Sequence, residues 1–345
     1  MRLLVLGGTW FVGRTLVEEA ASRGHELTIF NRGKSGASQP SGVQVIHGDR
    51  EDWADLTRLA AEGPWDAVVD VPGSVPSVVR DSARALVDVA DRYVFMSTVS
   101  VYQRWPHQPV SEESPLHEGD PDFDPGWRHW DAAAYGPLKA GCEAAIRREY
   151  GDRWLFLRPG VVLGPYEYVG RVAWWLDRMR RGGRVLAPGT ADRGIQPVDV
   201  RDLVNFALDQ VERGQRGAFN VAAPVDRETY GGMLEACRDA AKSSAEVVWV
   251  SEEWLAERGV RQWTELPLWR IPPGTWAMDA TRAAEQGLYC RALRETVVDT
   301  SAWLSSGGRA VAHERQAEHG IDTAKEKALL DEWFATDLAG RQAEI

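Results

Sequence analysis

The chain predicts an α/β fold, a doubly wound parallel sheet with a smaller mixed α/β part at the C-terminal side. Three observations carry this. Short, wholly apolar runs alternate with helix-period stretches over the first 160 residues. The runs lack the in–out alternation of a half-exposed strand, as expected when helices cover both faces of a parallel sheet. A glycine-rich turn joins the first run to the first helix-like stretch.

In order, the apolar runs predict strands at Leu3–Leu6, Leu27–Phe30, Val43–Ile46, Ala67–Asp70, Tyr93–Met96 and Trp154–Leu157. Between them, apolar residues at helical spacing predict helices over Phe11–Arg23, Trp53–Ala61, Ser77–Ala90 and Ala134–Tyr150. Past about Arg158 the pattern changes. Helical stretches at Val172–Arg181, Val200–Glu212 and Glu228–Lys242 mix with short strands at Arg184–Leu186 and Ala218–Val221. The expected organisation is a nucleotide-binding domain over 1–160, with a lid-like insertion at 103–134. A mainly substrate-binding domain over 161–304 follows, some of its segments returning to the sheet, and then a polar, partly helical tail over 305–345. The insertion holds five prolines and Trp105, Trp127 and Trp130 within 32 residues, and long loops of this kind often enclose ligands.

Composition narrows the class. A chain of 345 residues with 44% hydrophobic and 26% charged residues is of ordinary globular make-up. A formal net charge of −11 speaks against a general nucleic-acid surface. The three cysteines, Cys142, Cys237 and Cys290, have neither metal-ligand spacing nor a disulfide framework, which fits a reducing compartment. No stretch has the length of a membrane span. A cytoplasmic protein binding a small molecule, with no metal, no nucleic acid and no membrane partner, is the expectation.

The run Gly7-Gly8-Thr9-Trp10-Phe11-Val12-Gly13 lies between a strand and a helix, the context required of a dinucleotide fingerprint. It provides a tight turn, close backbone approach to a pyrophosphate, and a helix N-terminus aimed at its charge. The sheet is therefore of Rossmann type. At the end of the second strand, Asn31 stands where an acid would bind the 2′-hydroxyl of NAD, and Arg32 and Lys34 follow. That charge pattern favours the 2′-phosphate of NADP(H) over NAD.

Tyr135 and Lys139 stand four apart, on one face of a helix. An adjacent ammonium lowers the pKa of a phenol and suits it to proton transfer. With eight Tyr and five Lys in 345 positions, chance supplies only about 0.1 such pairs.

Together these motifs resemble the extended branch of the short-chain dehydrogenase/reductase superfamily, the epimerases, dehydratases and reductases. Trp10 stands where that branch has its middle glycine, as in the divergent group similar to chloroplast stem-loop-binding proteins and isoflavone-reductase-like members. The resemblance covers roughly residues 2–303. It implies that Thr98, in Met96-Ser97-Thr98-Val99-Ser100-Val101-Tyr102, orients the substrate oxygen, with Ser97 and Ser100 as neighbours able to substitute. It implies that Tyr135 exchanges the proton and that Lys139 holds the nicotinamide ribose. Asp49 and Arg50 would take the adenine edge, and Val71-Pro72-Gly73 and Pro159-Gly160 would pass along the cofactor. In Arg158–Pro165, Val161 and Leu163 replace the asparagine and aromatic residue frequent in nucleotide-sugar enzymes. Superfamily members often pair through helices flanking the sheet, so a homodimer is the candidate assembly.

Substrate contacts are expected from Ser100, from Arg201, and from one or more of Trp105, Trp127, Trp130, Trp174 and Trp175. For Arg201 an ion pair with Asp199 or Asp202 competes, and core packing competes for the tryptophans. Glu112, Glu113 and Asp131 are further candidate acids. The leading expectation is an NADP(H)-dependent oxidoreductase acting between a secondary alcohol and a ketone of a small cyclic molecule. A nucleotide-sugar epimerase or dehydratase with tightly bound NAD is one alternative, and a non-catalytic dinucleotide- or RNA-binding regulator is another.

Overall fold

In the computed structural model, which describes residues 1–35, 39–308 and 313–343, the chain divides into two compact units. The first comprises Met1–Val162, Gln196–Pro224 and Pro273–Arg291. Its centre is a seven-stranded sheet: β1 (Arg2–Leu6), β2 (Glu26–Asn31), β3 (Gln44–His47), β4 (Ala67–Asp70), β5 (Tyr93–Met96), β6 (Trp154–Pro159) and β7 (Gly217–Val221). The spatial order is β7-β6-β5-β4-β1-β2-β3, and every pairing is parallel. The first six strands fall where apolar runs predict them, with shifts of a residue or two at the ends. The seventh comes from beyond the second unit's first segment.

Helices cover both faces. Leu3 and Val5 of β1 join one core with α1 (Phe11–Ser22) and α5 (Val200–Glu212). Leu4 and Leu6 join the other, with α2 (Trp53–Ala60), α3 (Pro76–Leu86) and α4 (Ala132–Tyr150). Alternate side chains of one strand point to opposite faces, so a wholly apolar strand feeds two cores at once.

The 103–134 segment, expected as a lid-like insertion, is closely seated within the first unit. Val110 is buried in a small cluster with Val101, Tyr102, Ala140 and Met278. A Cβ placed on Gly119 would lie 2.2 Å from the Gly141 nitrogen, and one on Gly274 would lie 2.1 Å from the Gln108 carbonyl oxygen. Backbone meets backbone at both points because no side chain intervenes.

The second unit comprises Leu163–Ile195, Val225–Pro272 and Ala292–Ile345. It pairs Arg184–Pro188 with Glu246–Val250 in parallel, and Gly194–Ile195 with Glu228–Thr229 antiparallel. Helices Arg171–Arg180, Tyr230–Ala240 and Leu293–Ser305 accompany these pairs. The partly helical tail holds a helix over Thr323–Ala343. Its Glu326 closes a buried ion pair with Arg178 (2.8 Å), so the tail belongs to this unit. Among the described residues no helix is long and apolar enough to cross a membrane.

Candidate active site

The glycine turn follows β1. Gly7 and Gly8 have φ of +96° and +84°, values open to glycine and costly for other residues. A Cβ on Gly7 would meet Pro72 at 3.0 Å, and one on Gly13 would meet the Gly8 nitrogen at 3.0 Å. The turn and Val71-Pro72-Gly73 therefore lie against each other. Trp10 is extended, with φ −125°, so its backbone does not require a glycine. The residue is 40% exposed. No side chain caps the start of α1, and the positive end of a helix dipole favours an anion. These features fit a dinucleotide pyrophosphate.

Thr9 and Val12 lie in the same turn and first helical turn. Asn31 ends β2, and its side-chain oxygen accepts from the Gly33 N–H at 2.8 Å, shaping a loop on which Arg32 and Lys34 are exposed. Asp49 accepts from the Glu51 N–H at 3.1 Å, and its own N–H donates to Asp55.

Arg50 departs from expectation. Its guanidinium turns inward onto the fully buried Asp70, at 2.8 and 2.7 Å, and its Nε donates to Ser82 Oγ. It is committed to the interior rather than to the adenine edge.

At the C-terminal end of β5, Thr98 caps a 3-10 turn over Val99–Val101, its hydroxyl accepting from the Ser100 N–H at 3.2 Å. The turn lies against the first part of α4. A Cβ on Gly136 would sit 2.3 Å from the Ser100 carbonyl oxygen and 3.2 Å from the His117 ring. Ser100 and His117 thereby lie against Gly136, the residue that follows Tyr135. Ser97 is not interchangeable with Thr98, because its hydroxyl donates to buried Glu143 at 2.7 Å.

α4 runs unbroken from Ala132 to Tyr150, so Tyr135 and Lys139 share a face one turn apart. Tyr135 is half-buried against Trp130, with ring centroids 4.6 Å apart. Lys139 is buried. Its ammonium donates to the Gly73 carbonyl at 2.8 Å and the Met96 carbonyl at 2.5 Å, and lies 4.0 Å from the Phe95 ring centroid. Burial pushes Lys139 down to about 8, against the pull of Cys142, Asp70 and Glu143. Burial also pushes the Cys142 thiol up to about 12, so it is neutral and the two carboxylates supply the favourable field.

Beneath the site lies a buried polar network that the sequence analysis missed. Arg158 donates to both Glu143 oxygens and to the Tyr102 hydroxyl, and Tyr102 donates to Asn220 on β7. Glu143 follows Lys139 by four residues, and that spacing was the signal available. Pro159 and Gly160 follow Arg158, the Gly160 N–H donating to the Val221 carbonyl.

Several expected substrate residues have other work. Trp175 is wholly buried in the second unit, its indole N–H donating to the Pro267 carbonyl and its ring against Tyr230. It is a core residue, not a pocket wall. Trp174 lies against it and under Gly320. Trp105 joins the cluster around Tyr102, and Trp127 stacks with His129. Arg201 grips Asp199 at 2.9 and 2.8 Å, the competing ion pair. Of the candidate acids, Glu112 accepts from the Asn220 N–H, Glu113 pairs with Arg282, and Asp131 caps α4.

The model of the NAD dependent epimerase/dehydratase family matches residues 3–222. The chain belongs to that family. It is 28% identical over 255 residues to the chloroplast stem-loop binding protein of 41 kDa b from Arabidopsis thaliana, covering 69% of this chain and 63% of that one. It is 29% identical over 168 residues to 2'-dehydrokanamycin reductase from Streptomyces kanamyceticus, covering 47% of this chain and 43% of that one. The chain thus spans less than two thirds of either relative. Among solved structures, the Bordetella bronchiseptica enzyme WbmH in complex with NAD+ shares the fold at TM-score 0.67 and 17% identity, over 90% of this chain and 99% of that one.

Proposed function

We propose that this family member is an NADP(H)-dependent oxidoreductase that interconverts a secondary alcohol and a ketone on a small cyclic, sugar-like or secondary-metabolite substrate. The observation that carries the reading is the buried ammonium of Lys139, held by two strand-end carbonyls one helical turn from Tyr135. When bound, the nicotinamide supplies or accepts the hydride. Gly7 to Gly13 and the start of α1 hold the pyrophosphate, and Arg32 and Lys34 meet the 2′-phosphate. Lys139 has three N–H donors, two of them engaged, and the third serves the nicotinamide ribose. Its charge favours the Tyr135 phenolate, so Tyr135 takes the hydroxyl proton in oxidation and returns it in reduction. Thr98, fixed by its turn and with Ser100 beside it, orients the substrate oxygen. Trp130 narrows the approach to Tyr135.

Glu112, Glu113 and Asp131 are engaged in structural bonds, which favours simple redox chemistry over a dehydration that needs another acid or base. Two of the relatives are named as reductases, the second being 2-alkyl-3-oxoalkanoate reductase from Stenotrophomonas maltophilia. The net charge of −11 speaks against an RNA-binding role. The test is fluorescence titration with NADPH and NADH on protein checked for copurified nucleotide. Tighter NADPH binding, with oxidation of NADPH on adding a cyclic ketone, is expected. Tightly held NAD with turnover needing no added cofactor would replace this reading with the epimerase one.

A further inference from the structure

Asp70 is the only acid of β4, ending a strand otherwise made of alanine and valine, and it is fully buried. Two strong donors from Arg50 meet it, with the Tyr93 hydroxyl at 2.7 Å and the Gly73 N–H at 3.0 Å. Burial raises the carboxyl, but Arg50 and Tyr93 outweigh it and hold Asp70 below its usual range. A buried ion pair is seldom a better source of stability than apolar side chains of like volume. The pair therefore invites a role other than stability.

Gly73 shows that role. Its N–H is held by Asp70, while its carbonyl accepts from the Lys139 ammonium at 2.8 Å. A Cβ there would lie 2.8 Å from Asp70 Oδ2 and from the Phe95 ring, so the residue is confined on both sides. Arg50 itself sits in the loop after β3. We propose that Asp70, clamped by Arg50, is a positioning residue for Lys139: it fixes the Gly73 carbonyl that orients the ammonium and ties the loop after β3 to the reaction centre. This deepens the oxidoreductase reading and rests on it for its catalytic meaning.

The charged and titratable groups facing Lys139 are Asp70 from β4, Arg50 from the loop after β3, and Tyr135, Cys142 and Glu143 on its own helix. Glu143 is offset by Arg158 and Arg147. Asp70 is both the nearest fixed anion by bonding, through Gly73, and the one whose removal alters the carbonyl.

The chain has only five lysines, so protein labelled with 13Cε-lysine gives a sparse spectrum, in which Lys139 is the signal lost in Lys139→Arg. In the dinucleotide-free protein Lys139 should titrate near 8. Asp70→Asn should move that midpoint down by about 1 unit. Asp88→Asn, an exposed change of equal charge in the same unit, should leave it in place. Should Asp70→Asn not fold, the double variant Arg50→Met/Asp70→Asn, which strands neither charge, should give a smaller drop of the same sign. A midpoint unmoved or raised in the Asp70 variant, or moved equally by Asp88→Asn, overturns the proposal. The measurement needs neither cofactor nor turnover. A protein that oxidises no NADPH yet shows the shift would sink the oxidoreductase reading and leave the positioning role standing.

Discussion

Arg158 grips both carboxylate oxygens of Glu143, at 2.9 and 2.6 Å, where neither side chain is more than 3% exposed. The Ser97 hydroxyl donates to the same carboxylate, which removes it from the substrate side of the β5 end. Ser97→Ala should therefore cost about 1.5–3 kcal/mol, the worth of a hydrogen bond to a charged group, in urea unfolding, and leave turnover nearly intact. Thr98→Ala should cost little stability and about 100-fold in kcat. The reverse pattern would exchange their roles.

Lys139 couples stability and activity to pH in opposite directions. Its folded value, about 8, lies below the ordinary 10.5. Between those values the unfolded chain binds more protons than the folded one, so this group's contribution to stability rises with pH across that window. Binding of the ribose and support of the phenolate need the charged form, so turnover should fall as pH rises through about 8. Thermal unfolding and initial rates from pH 6.5 to 10 check both slopes, and in Lys139→Met the stability slope from this residue should vanish.

Tyr135→Phe removes only the hydroxyl and keeps the ring beside Trp130. Turnover should drop by at least about 100-fold, as for loss of a general acid–base group, while NADPH fluorescence titration stays within about two-fold of the parent. Equal loss of binding would place the phenol in cofactor recognition instead.

Arg32 is exposed on the loop after β2. Arg32→Ala should weaken NADPH binding by roughly ten-fold, about the worth of one charge-assisted contact, and NADH binding hardly at all. Equal weakening of the two would remove the 2′-phosphate argument.

Gly136 is the point at which the Thr98–Ser100 turn meets α4. Gly136→Ala would force a Cβ to 2.3 Å from the Ser100 carbonyl oxygen, so turn and helix must part. A cost of about 1–3 kcal/mol is expected, as for overpacking, with turnover falling more than dinucleotide binding. An unchanged melting temperature would show that the turn moves freely.

Much of this was legible in advance because it is written locally. Six strands of the sheet appear as apolar runs, the glycine turn as its own motif, and Tyr135 and Lys139 as a helical repeat of four. Polar side chains with distant partners are not legible in this way. Arg50 follows Asp49 in sequence and looks like a cofactor residue, yet Asp70, 20 positions on, claims its guanidinium. Ser97 and Thr98 are chemically alike, and only Glu143, 46 positions on, separates them. Trp174 and Trp175 look like a pocket pair, but the Pro267 carbonyl shows that Trp175 is interior.

By itself, then, the sequence settled the parallel α/β sheet, the strand–turn–helix at its start and the tyrosine–lysine face, since backbone preference and periodic burial act over a few residues. The tertiary structure alone decided that the strand legible at Ala218–Val221 pairs beside β6, that the 103–134 segment is seated by glycine contacts, and which hydroxyls and cations stay available to a ligand. A buried polar group must find a partner wherever the fold places one, and that choice is made in space rather than along the chain.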